Sequence, residues 1–304
     1  MAENHRYLII GGTTKGATTS LFNYLSAHPE VCASSMKETR FLLDREYPLL
    51  SRYRFDDGLD KYEEFFGHCE DRKVRVEATP DYLYSPGTPR RIKDCFPQAR
   101  VLFALREPLS RLVSWYKFSR QYDPDLRNIT FDDYVALQKV PSPGRKQHML
   151  ALEQGKYSLY LRPYFETLGR DRVLVVFFEE LSESPLSVMA GICSFAGIDA
   201  AFFSDFDFRV FNRTGVTRSA RFHGLYRGLK YNVRKYTHDK PAVHSILKRI
   251  RTLVEPGYSS GNSSPEMGIG MSENTKAFLK DYYSAEAGCI EAVTGTRVPW
   301  RDLG

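Results

Sequence analysis

Four short runs of apolar residues are spaced along the chain, separated by polar or glycine-containing stretches. The runs occupy residues 7–10, 74–77, 101–105 and 173–178. The runs at residues 7–10, 101–105 and 173–178 are continuous rather than alternating, which favours strands buried on both faces of a parallel sheet. The segments between them carry apolar residues at helical spacing. Predicted helices span residues 17–27, 109–120, 131–138, 147–168 and 185–195. Strands that alternate with helices predict an α/β fold with a parallel central sheet flanked by helices.

The junction between the first strand and the first helix is rich in glycine and threonine. Residues 11–20 read GGTTKGATTS. Glycines let the backbone turn its N–H groups toward an anion, and the N-terminus of the following helix adds a positive dipole end. The junction therefore predicts a phosphate-binding loop, and the phosphate compound that it holds would decide the function.

The spacing of Gly11 and Gly16 matches the phosphate loop of nucleotide triphosphatases, GxxxxGK[ST], but the rest of that motif does not match. The lysine stands at position 15, before the second glycine, and Ala17 occupies the position where the motif has lysine. No apolar strand ending in a metal-ligand aspartate is evident. A kinase that uses ATP and Mg²⁺ is therefore disfavoured, but it stays open as an alternative.

A second strand-to-helix junction follows the third apolar run. Arg106 closes that run, and Ser114 would lie two turns into the next helix. An arginine at the end of a buried strand can bind an anion, or it can form a salt bridge with an acid such as Glu107 or Asp81. The motif alone does not decide between these interpretations.

The two junctions, TKGATTS and LREPLSRLVSWY, resemble the donor-binding signatures of sulfotransferases that use 3'-phosphoadenosine-5'-phosphosulfate (PAPS). The finer match is to the carbohydrate branch, the heparan sulfate O- and N-sulfotransferase-like enzymes and their bacterial relatives. Further matching segments follow in the family's order, at residues 28–31, 37–41, 62–66, 77–82, 155–157, 173–181, 211–214 and 295–300. The resemblance implies a P-loop-kinase-like sulfotransferase fold. It also implies a single domain over residues 1–304, with a basic helical or loop insertion around residues 215–270.

The resemblance implies how the donor is held. Arg106 and Ser114 would bind the 3'-phosphate, because an arginine fork and a hydroxyl group suit a terminal phosphate. The 5'-phosphate would be bound by Lys15, Gly16, Ala17, Thr18 and Thr19. Lys15 would also offset the charge that develops on the oxygen leaving sulfur. No metal is expected, since these groups supply the positive charge that Mg²⁺ supplies in kinases.

Transfer to an alcohol needs a group that accepts the hydroxyl proton. By the resemblance, Glu38 in the segment MKETRF is that base, and Arg40 either neutralises the sulfuryl group or holds Glu38 in place. Judged from the residues alone, Glu38 could instead be a surface carboxylate paired with Lys37 or Arg40. One departure is Ala78, where several heparan sulfate enzymes have a lysine near the reacting atoms. Either Lys15 carries that role alone, or an arginine from elsewhere replaces the lysine.

Other charged residues are expected to have smaller roles. Glu77 and Asp81 fall close to the site in this mapping and would support it rather than act as the base. Arg218 or Arg221 would lie on a basic loop that closes over the donor. The basic stretch 221–251 is either a solvated helical face or a surface for an acidic acceptor or for anionic lipid headgroups in peripheral membrane contact. It carries no known nucleic-acid module, so no nucleic-acid partner is expected.

Composition narrows the class further. The 304-residue chain has 43 Lys and Arg against 37 Asp and Glu, a net charge of +6 that favours anionic ligands. Its five cysteines form no CxxC pair and no metal-spaced cluster with histidine, which is typical of a reducing compartment and unlike a disulfide framework. No apolar run is long enough to cross a membrane, and no signal peptide precedes the first strand. A bacterial, cytoplasmic enzyme is therefore expected.

The predicted function is transfer of a sulfuryl group from PAPS to an acceptor hydroxyl. The acceptor could be a saccharide, a glycolipid or a glycosylated or phenolic secondary metabolite, and an amine is also open. Acceptor pockets are built from variable loops, so the sequence does not choose among these compounds. Two alternatives stay open, an ATP- and Mg²⁺-dependent kinase and a nonenzymatic protein that binds nucleotides or polyanions. The oligomeric state is not predicted.

Overall fold

The fold is built on a five-stranded sheet in which neighbouring strands are parallel. The computed structural model describes residues 6–69, 72–140, 147–209 and 269–300. The strands are β1 (Arg6–Gly12), β2 (Val31–Ala33), β3 (Val74–Ala78), β4 (Arg100–Leu105) and β5 (Val173–Phe177), in the spatial order β2-β3-β1-β4-β5. Four of these strands confirm the prediction. The three residues of β2 are too few for an apolar pattern to reveal.

Helices pack on both faces of this sheet, which confirms the predicted α/β architecture. The α-helices are α1 (Thr18–Ala27), α2 (Leu59–Glu63), α3 (Thr88–Cys95), α4 (Pro108–Tyr122), α5 (Phe131–Lys139), α6 (Tyr157–Leu168), α7 (Phe178–Glu183), α8 (Pro185–Ala196), α9 (Glu273–Tyr283) and α10 (Glu286–Thr294). The 3₁₀ helices span Phe55–Asp57, Glu64–Phe66, Pro80–Tyr84, Pro124–Leu126, Gln147–Leu150, Glu153–Gly155, Arg170–Arg172 and Ala200–Phe203.

Side chains alternate along the strands between two cores. Tyr7 and Ile9 of β1 contribute to one core together with α3, α6 and α10, whereas Leu8 and Ile10 contribute to the other together with α1 and α8. A third cluster joins α4, α5 and α9. Because both faces of the sheet are covered, β1, β4 and β5 contain continuous apolar runs.

The predicted helix over residues 147–168 is wrong in its first half. Two 3₁₀ turns precede α6, which begins only at Tyr157. Gly155 packs directly on Tyr283, and a Cβ at this glycine would lie 2.5 Å from the tyrosine hydroxyl oxygen. Tyr283 also donates a hydrogen bond to the Leu152 carbonyl oxygen over 2.7 Å. A tertiary contact therefore occupies a backbone acceptor that a continuous helix would use.

After the neighbouring strands β1 and β4, the chain continues toward opposite edges of the sheet. α1 connects β1 to β2 at one edge, and the segment after β4 leads to β5 at the other edge. Such a reversal opens a crevice at the carboxyl ends of the two strands, where α/β sheets bind their ligands. The phosphate-binding loop and the junction at Arg106 both begin at this crevice.

One pair of cysteines departs from the expectation of a reducing compartment, because the structure joins the two in a disulfide. Cys32 of β2 is bonded to Cys69, with 5.8 Å between their Cα atoms and a sequence separation of 37. His68 Nε2 lies 3.7 Å from Cys32 Sγ, so the fold also assembles a histidine–cysteine cluster that no sequence spacing shows. Because the two sulfurs are bonded to each other, they are not available as thiolate metal ligands. The cytoplasmic location, which rests partly on unpaired cysteines, stays a prediction.

All the described elements belong to one compact unit of the chain. The predicted basic insertion around residues 215–270 lies almost entirely outside the described residues, and so do Arg218 and Arg221. The single-domain organisation therefore stays a prediction. Within the four described ranges, no helix has the length and apolar character needed to cross a lipid bilayer.

We expect thiol titration of the denatured, unreduced protein to report three free cysteines, namely Cys95, Cys193 and Cys289. The disulfide closes a long loop of the unfolded chain, so reduction should lower the free energy of unfolding by about 2–4 kcal/mol. A double variant, Cys32→Ser with Cys69→Ser, should show the same loss without reductant and no further loss with it. Titration of all five thiols before reduction would contradict the pairing.

Candidate active site

The phosphate-binding loop leaves β1 in a strained backbone conformation. Lys15 and Ala17 have φ angles of 71° and 72°, which are rare for residues with a side chain. The N–H of Thr13 donates to the Ala104 carbonyl oxygen over 2.9 Å, and the N–H of Gly16 donates to the Thr13 carbonyl oxygen over 3.0 Å. These hydrogen bonds hold the loop against the end of β4.

Gly16 allows the loop to approach the sheet this closely. A Cβ at this position would lie 2.1 Å from the Ala104 carbonyl oxygen and 2.9 Å from Cγ2 of Thr13. Since the Ala104 carbonyl belongs to the backbone of β4, a side chain at position 16 would push the loop away from the sheet. Thr18 and Thr19 follow at the start of α1, where the sequence predicts them.

Lys15 and Arg106 share one site, as the sequence predicts. The ammonium nitrogen of Lys15 lies 4.6 Å from the centre of the Phe118 ring. Burial, together with the positive charge of Arg106, lowers the pKa of Lys15 to about 8. Because like charges repel each other, the arrangement favours the binding of an anion to both cations.

Arg106 follows β4 directly, and its guanidinium lies 4.4 Å from the centre of the Phe178 ring. Its Nε is buried and has no hydrogen-bond partner among the described residues. Burial lowers the pKa of Arg106, and the negative charge of Glu179 opposes that shift. Within the same residues, a salt bridge with Glu107 or Asp81 is not formed. Glu107 instead caps α4 by accepting two backbone N–H groups of its first turn.

Ser114 occupies its predicted place, two turns into α4, and only 8% of the residue is exposed. Phe118, which contacts the Lys15 ammonium, follows one turn later. Residues four positions apart share a face of an α-helix. The face of α4 that carries Ser114 is therefore the face that meets the phosphate-binding loop.

Glu38 stands on the loop after β2, between two cations. Its carboxylate oxygens lie 3.3 Å from Lys37 Nζ and 2.9 Å from Arg40 Nη2, and 36% of the side chain is exposed. Burial opposes ionisation, but Lys37 and Arg40 outweigh it and lower the pKa of Glu38. Glu38 is therefore an ionised carboxylate at neutral pH. It has both of the cationic partners that the surface-carboxylate interpretation names.

Arg40 is held by contacts that fix its position next to Glu38. Its φ angle is 57°, and its N–H donates to Thr79 Oγ1 over 3.1 Å. Its guanidinium donates to Glu38 and, over 2.8 Å, to the Leu50 carbonyl oxygen. Of the two roles implied for Arg40, these contacts support the orientation of Glu38.

Glu77 of β3 anchors the same loop to the sheet. Its buried carboxylate accepts hydrogen bonds of 2.8–3.0 Å from the hydroxyl groups of Thr39, Tyr62, Thr79 and Tyr82. Burial raises the pKa of Glu77, although these four donors oppose the shift. Because Thr39 stands between Glu38 and Arg40, its hydrogen bond to Glu77 fixes the segment that carries them.

Asp81 provides a second carboxylate near Glu38. It belongs to the 3₁₀ helix after β3, against which Gly12 packs so closely that a Cβ there would lie 3.1 Å from a backbone carbonyl oxygen. Burial, and then the negative charge of Glu38, raise the pKa of Asp81 to about 7. The cations beside Glu38 and a 3.2 Å hydrogen bond from Tyr47 oppose this shift. Asp81 therefore changes its charge near neutral pH, a property that the sequence does not show.

Lys37 is a further cation of the site, which the sequence predicts only as a possible partner of Glu38. The N–H of Ala78 donates to the Lys37 carbonyl oxygen over 3.0 Å, so Lys37 adjoins the position where the resemblance leads us to expect a lysine. Its ammonium group pairs with Glu38 and also acts on Asp81. The only signal in the sequence is a lysine next to the predicted base, because the pairing of this loop with β3 is a tertiary contact.

The crevice thus combines two kinds of groups. Cations from the phosphate-binding loop and from the end of β4 suit the phosphates of a ligand. Carboxylates with closely held cations, from the loops after β2 and β3, suit proton transfer. The fold and the site define an α/β protein with a cationic strand-to-helix loop beside a group of carboxylates and their paired cations.

Residues 5–211 match the family model of the sulfotransferase domain, and the chain belongs to this family. The chain is 29% identical over 203 residues to human bifunctional heparan sulfate N-deacetylase/N-sulfotransferase 2. It is 26% identical over 280 residues to human bifunctional heparan sulfate N-deacetylase/N-sulfotransferase 1. These matches cover 64% and 91% of this chain but only 22% and 28% of the two relatives. The chain therefore spans about a quarter of the length of these relatives.

A solved structure extends the likeness of the fold over nearly the whole chain. The sulfotransferase from Alicyclobacillus acidocaldarius aligns with a TM-score of 0.66 and 21% sequence identity. The alignment covers 97% of this chain and 98% of that chain. The match confirms the predicted sulfotransferase fold.

We expect the affinity for 3'-phosphoadenosine-5'-phosphate (PAP) to fall as the pH rises through the pKa of Lys15, because only the protonated ammonium attracts a phosphate. With a pKa of about 8, the protonated fraction falls about tenfold between about pH 7 and about pH 9. Calorimetric titration at constant ionic strength should therefore show a loss of up to about tenfold in affinity. A Lys15→Arg variant stays protonated over this pH range, so its affinity for PAP should change little between the two pH values. An equal loss in that variant would contradict the assignment.

Proposed function

We propose that this protein is a sulfotransferase that moves the sulfuryl group of PAPS to an acceptor hydroxyl. The observation that carries the proposal is the pair Lys15 and Arg106. Lys15 lies on the phosphate-binding loop and Arg106 at the end of β4. Neither forms a salt bridge within the described part of the chain. A donor with phosphates at its 5' and 3' positions supplies one anionic group for each of these two cations. Membership of the sulfotransferase family supports this donor.

The donor-binding residues of the proposal are those that the two junctions predict. The 5'-phosphate is bound by Lys15, Gly16, Ala17, Thr18 and Thr19. The 3'-phosphate is bound by Arg106 and Ser114, since the unpaired Nε of Arg106 and a hydroxyl on the facing helix are both donors. Arg218 and Arg221 complete the set as residues that close over the donor. No metal ion is part of the proposed site.

The proposed reaction is an in-line displacement at sulfur. The acceptor oxygen forms a bond to sulfur, the bond between sulfur and the bridging oxygen breaks, and PAP leaves with the electron pair. Lys15 stabilises the negative charge on that oxygen, an effect of roughly 3 kcal/mol for one well-placed donor. Glu38 accepts the acceptor proton, and Arg40 orients the carboxylate. Lys37 supplies positive charge near the sulfuryl oxygens.

A saccharide is the acceptor class that we propose first. The two human relatives are named for heparan sulfate, which supports a carbohydrate acceptor. Their names also include N-sulfotransferase, so an amine belongs in the same acceptor panel. A glycolipid and a glycosylated or phenolic metabolite offer the same reacting hydroxyl and complete the panel.

Calorimetric titration with PAP and with ATP, each in the presence of EDTA, tests the donor site. We expect micromolar binding of PAP, no measurable binding of ATP, and a loss of at least about tenfold in PAP affinity for Arg106→Ala, which removes a charge-assisted contact. Arg90→Ala is the matched control, because Arg90 is exposed and forms an ion pair with Asp94 on α3. Preference for ATP with added Mg²⁺ would instead establish the kinase alternative.

Substitution of Glu38 separates an enzyme from a nonenzymatic binder. Glu38→Gln removes the proton acceptor but keeps the side-chain shape, so turnover of the best acceptor should fall by about 10²–10⁴-fold. The affinity for PAP should stay within about twofold, because Glu38 is not a donor-binding group. Glu64→Gln, at an exposed acid that pairs with Lys61, is the matched control. Unchanged turnover in Glu38→Gln would refute the role of Glu38 as the base.

A further inference from the structure

Arg111 is a buried cation that the proposed mechanism does not use. It lies in the first turn of α4, and 0% of its surface is exposed. Within the described ranges, it forms no salt bridge with a carboxylate. An arginine buried without an anionic partner is costly unless its N–H groups are hydrogen-bonded. The reason for its presence must therefore lie in the groups to which it donates.

The hydrogen bonds of Arg111 connect the phosphate-binding loop to two other segments. Its Nε donates to the Thr14 carbonyl oxygen over 3.0 Å and lies 3.2 Å from Thr13 Oγ1. Its Nη1 donates to the Ala151 carbonyl oxygen over 3.0 Å. Its Nη2 donates to the Tyr84 hydroxyl over 3.1 Å and to Gln154 Oε1 over 3.3 Å. All of these acceptors are neutral, so each guanidinium nitrogen has a hydrogen-bond acceptor while the positive charge stays uncompensated.

The contact with Thr14 falls at the strained part of the loop. Lys15 follows Thr14 immediately, and both Lys15 and Ala17 have positive φ angles. Such conformations persist only where the surrounding structure holds them. Thr13 Oγ1 also contacts the Tyr84 hydroxyl, which is itself a partner of Arg111. One planar guanidinium therefore fixes both the Thr14 carbonyl, which precedes Lys15, and Tyr84 of the 3₁₀ helix against which the loop packs.

We propose that Arg111 is a positioning residue that holds the phosphate-binding loop in its anion-binding conformation through the fixed geometry of its guanidinium. The inference rests on the proposed donor site. It assigns to Arg111 the orientation of Lys15 and of the loop N–H groups, with no direct contact to the donor. A lysine at this position would keep the positive charge, but it could not span the loop, Ala151 and Gln154 with a planar fork.

The test compares Arg111→Lys with the wild type and with Arg120→Lys, a control at an exposed arginine of the same helix. We expect PAP affinity to fall by at least about tenfold in Arg111→Lys and to stay unchanged in Arg120→Lys. The KM for the donor should rise in the same proportion, whereas the KM for the acceptor should not change. A merely structural role would lower the melting temperature and leave these affinities intact in the folded protein.

The outcomes separate this inference from the proposed function. If the wild type does not bind PAP, the proposed donor site fails. If the wild type binds PAP and folded Arg111→Lys binds it within about twofold, the positioning role is refuted. Should Arg111→Lys fail to fold, the double variant Tyr84→Phe with Gln154→Met removes the two acceptors of Nη2 and keeps the arginine. That variant should bind PAP several-fold more weakly, and wild-type affinity would again refute the proposal.

Discussion

The candidate site depends on the fold keeping two like charges close together. Free in water, the ammonium of Lys15 and the guanidinium of Arg106 would move apart and be separately hydrated. Here the end of β4 fixes the position of Arg106, and the close approach of Gly16 to the Ala104 carbonyl fixes the loop that carries Lys15. Burial, and then the repulsion by Arg106, lower the pKa of Lys15, and both effects favour the binding of an anion. The attraction of this pair for an anion is therefore a property of the folded backbone as much as of the two side chains.

The acid side of the crevice follows a different physical principle. Glu77 is buried but receives four hydroxyl donors, so it can serve as an anchor within the protein. Glu38 has cations beside it and stays ionised, whereas Asp81 is buried next to that negative charge and holds its proton up to about pH 7. Carboxylates whose environments drive their pKa values apart are typical of sites that move protons.

The 3₁₀ helix Pro80–Tyr84 links the two sides. It packs against Gly12 of β1, its Asp81 faces the charge of Glu38, and its Tyr84 contacts both Thr13 and Arg111. A shift of this helix would therefore move the phosphate-binding loop and the acid–base groups together. Such a shared support gives the site the rigid geometry that group transfer requires.

The sequence by itself determined the α/β class, four of the five strands and both strand-to-helix junctions. Each of these features leaves a local pattern: an apolar run buried on both faces, glycines where the chain must approach another backbone, or an arginine at the end of a strand. The tertiary structure alone decided the Cys32–Cys69 disulfide, the break in the helix predicted over residues 147–168, the pairing of the Lys37 carbonyl with β3, and the partners of Asp81 and Arg111. The physical reason is that hydrogen bonding, charge and burial at a point in space are set by every segment that meets there. Those segments lie far apart along the chain, so no local pattern records their contacts.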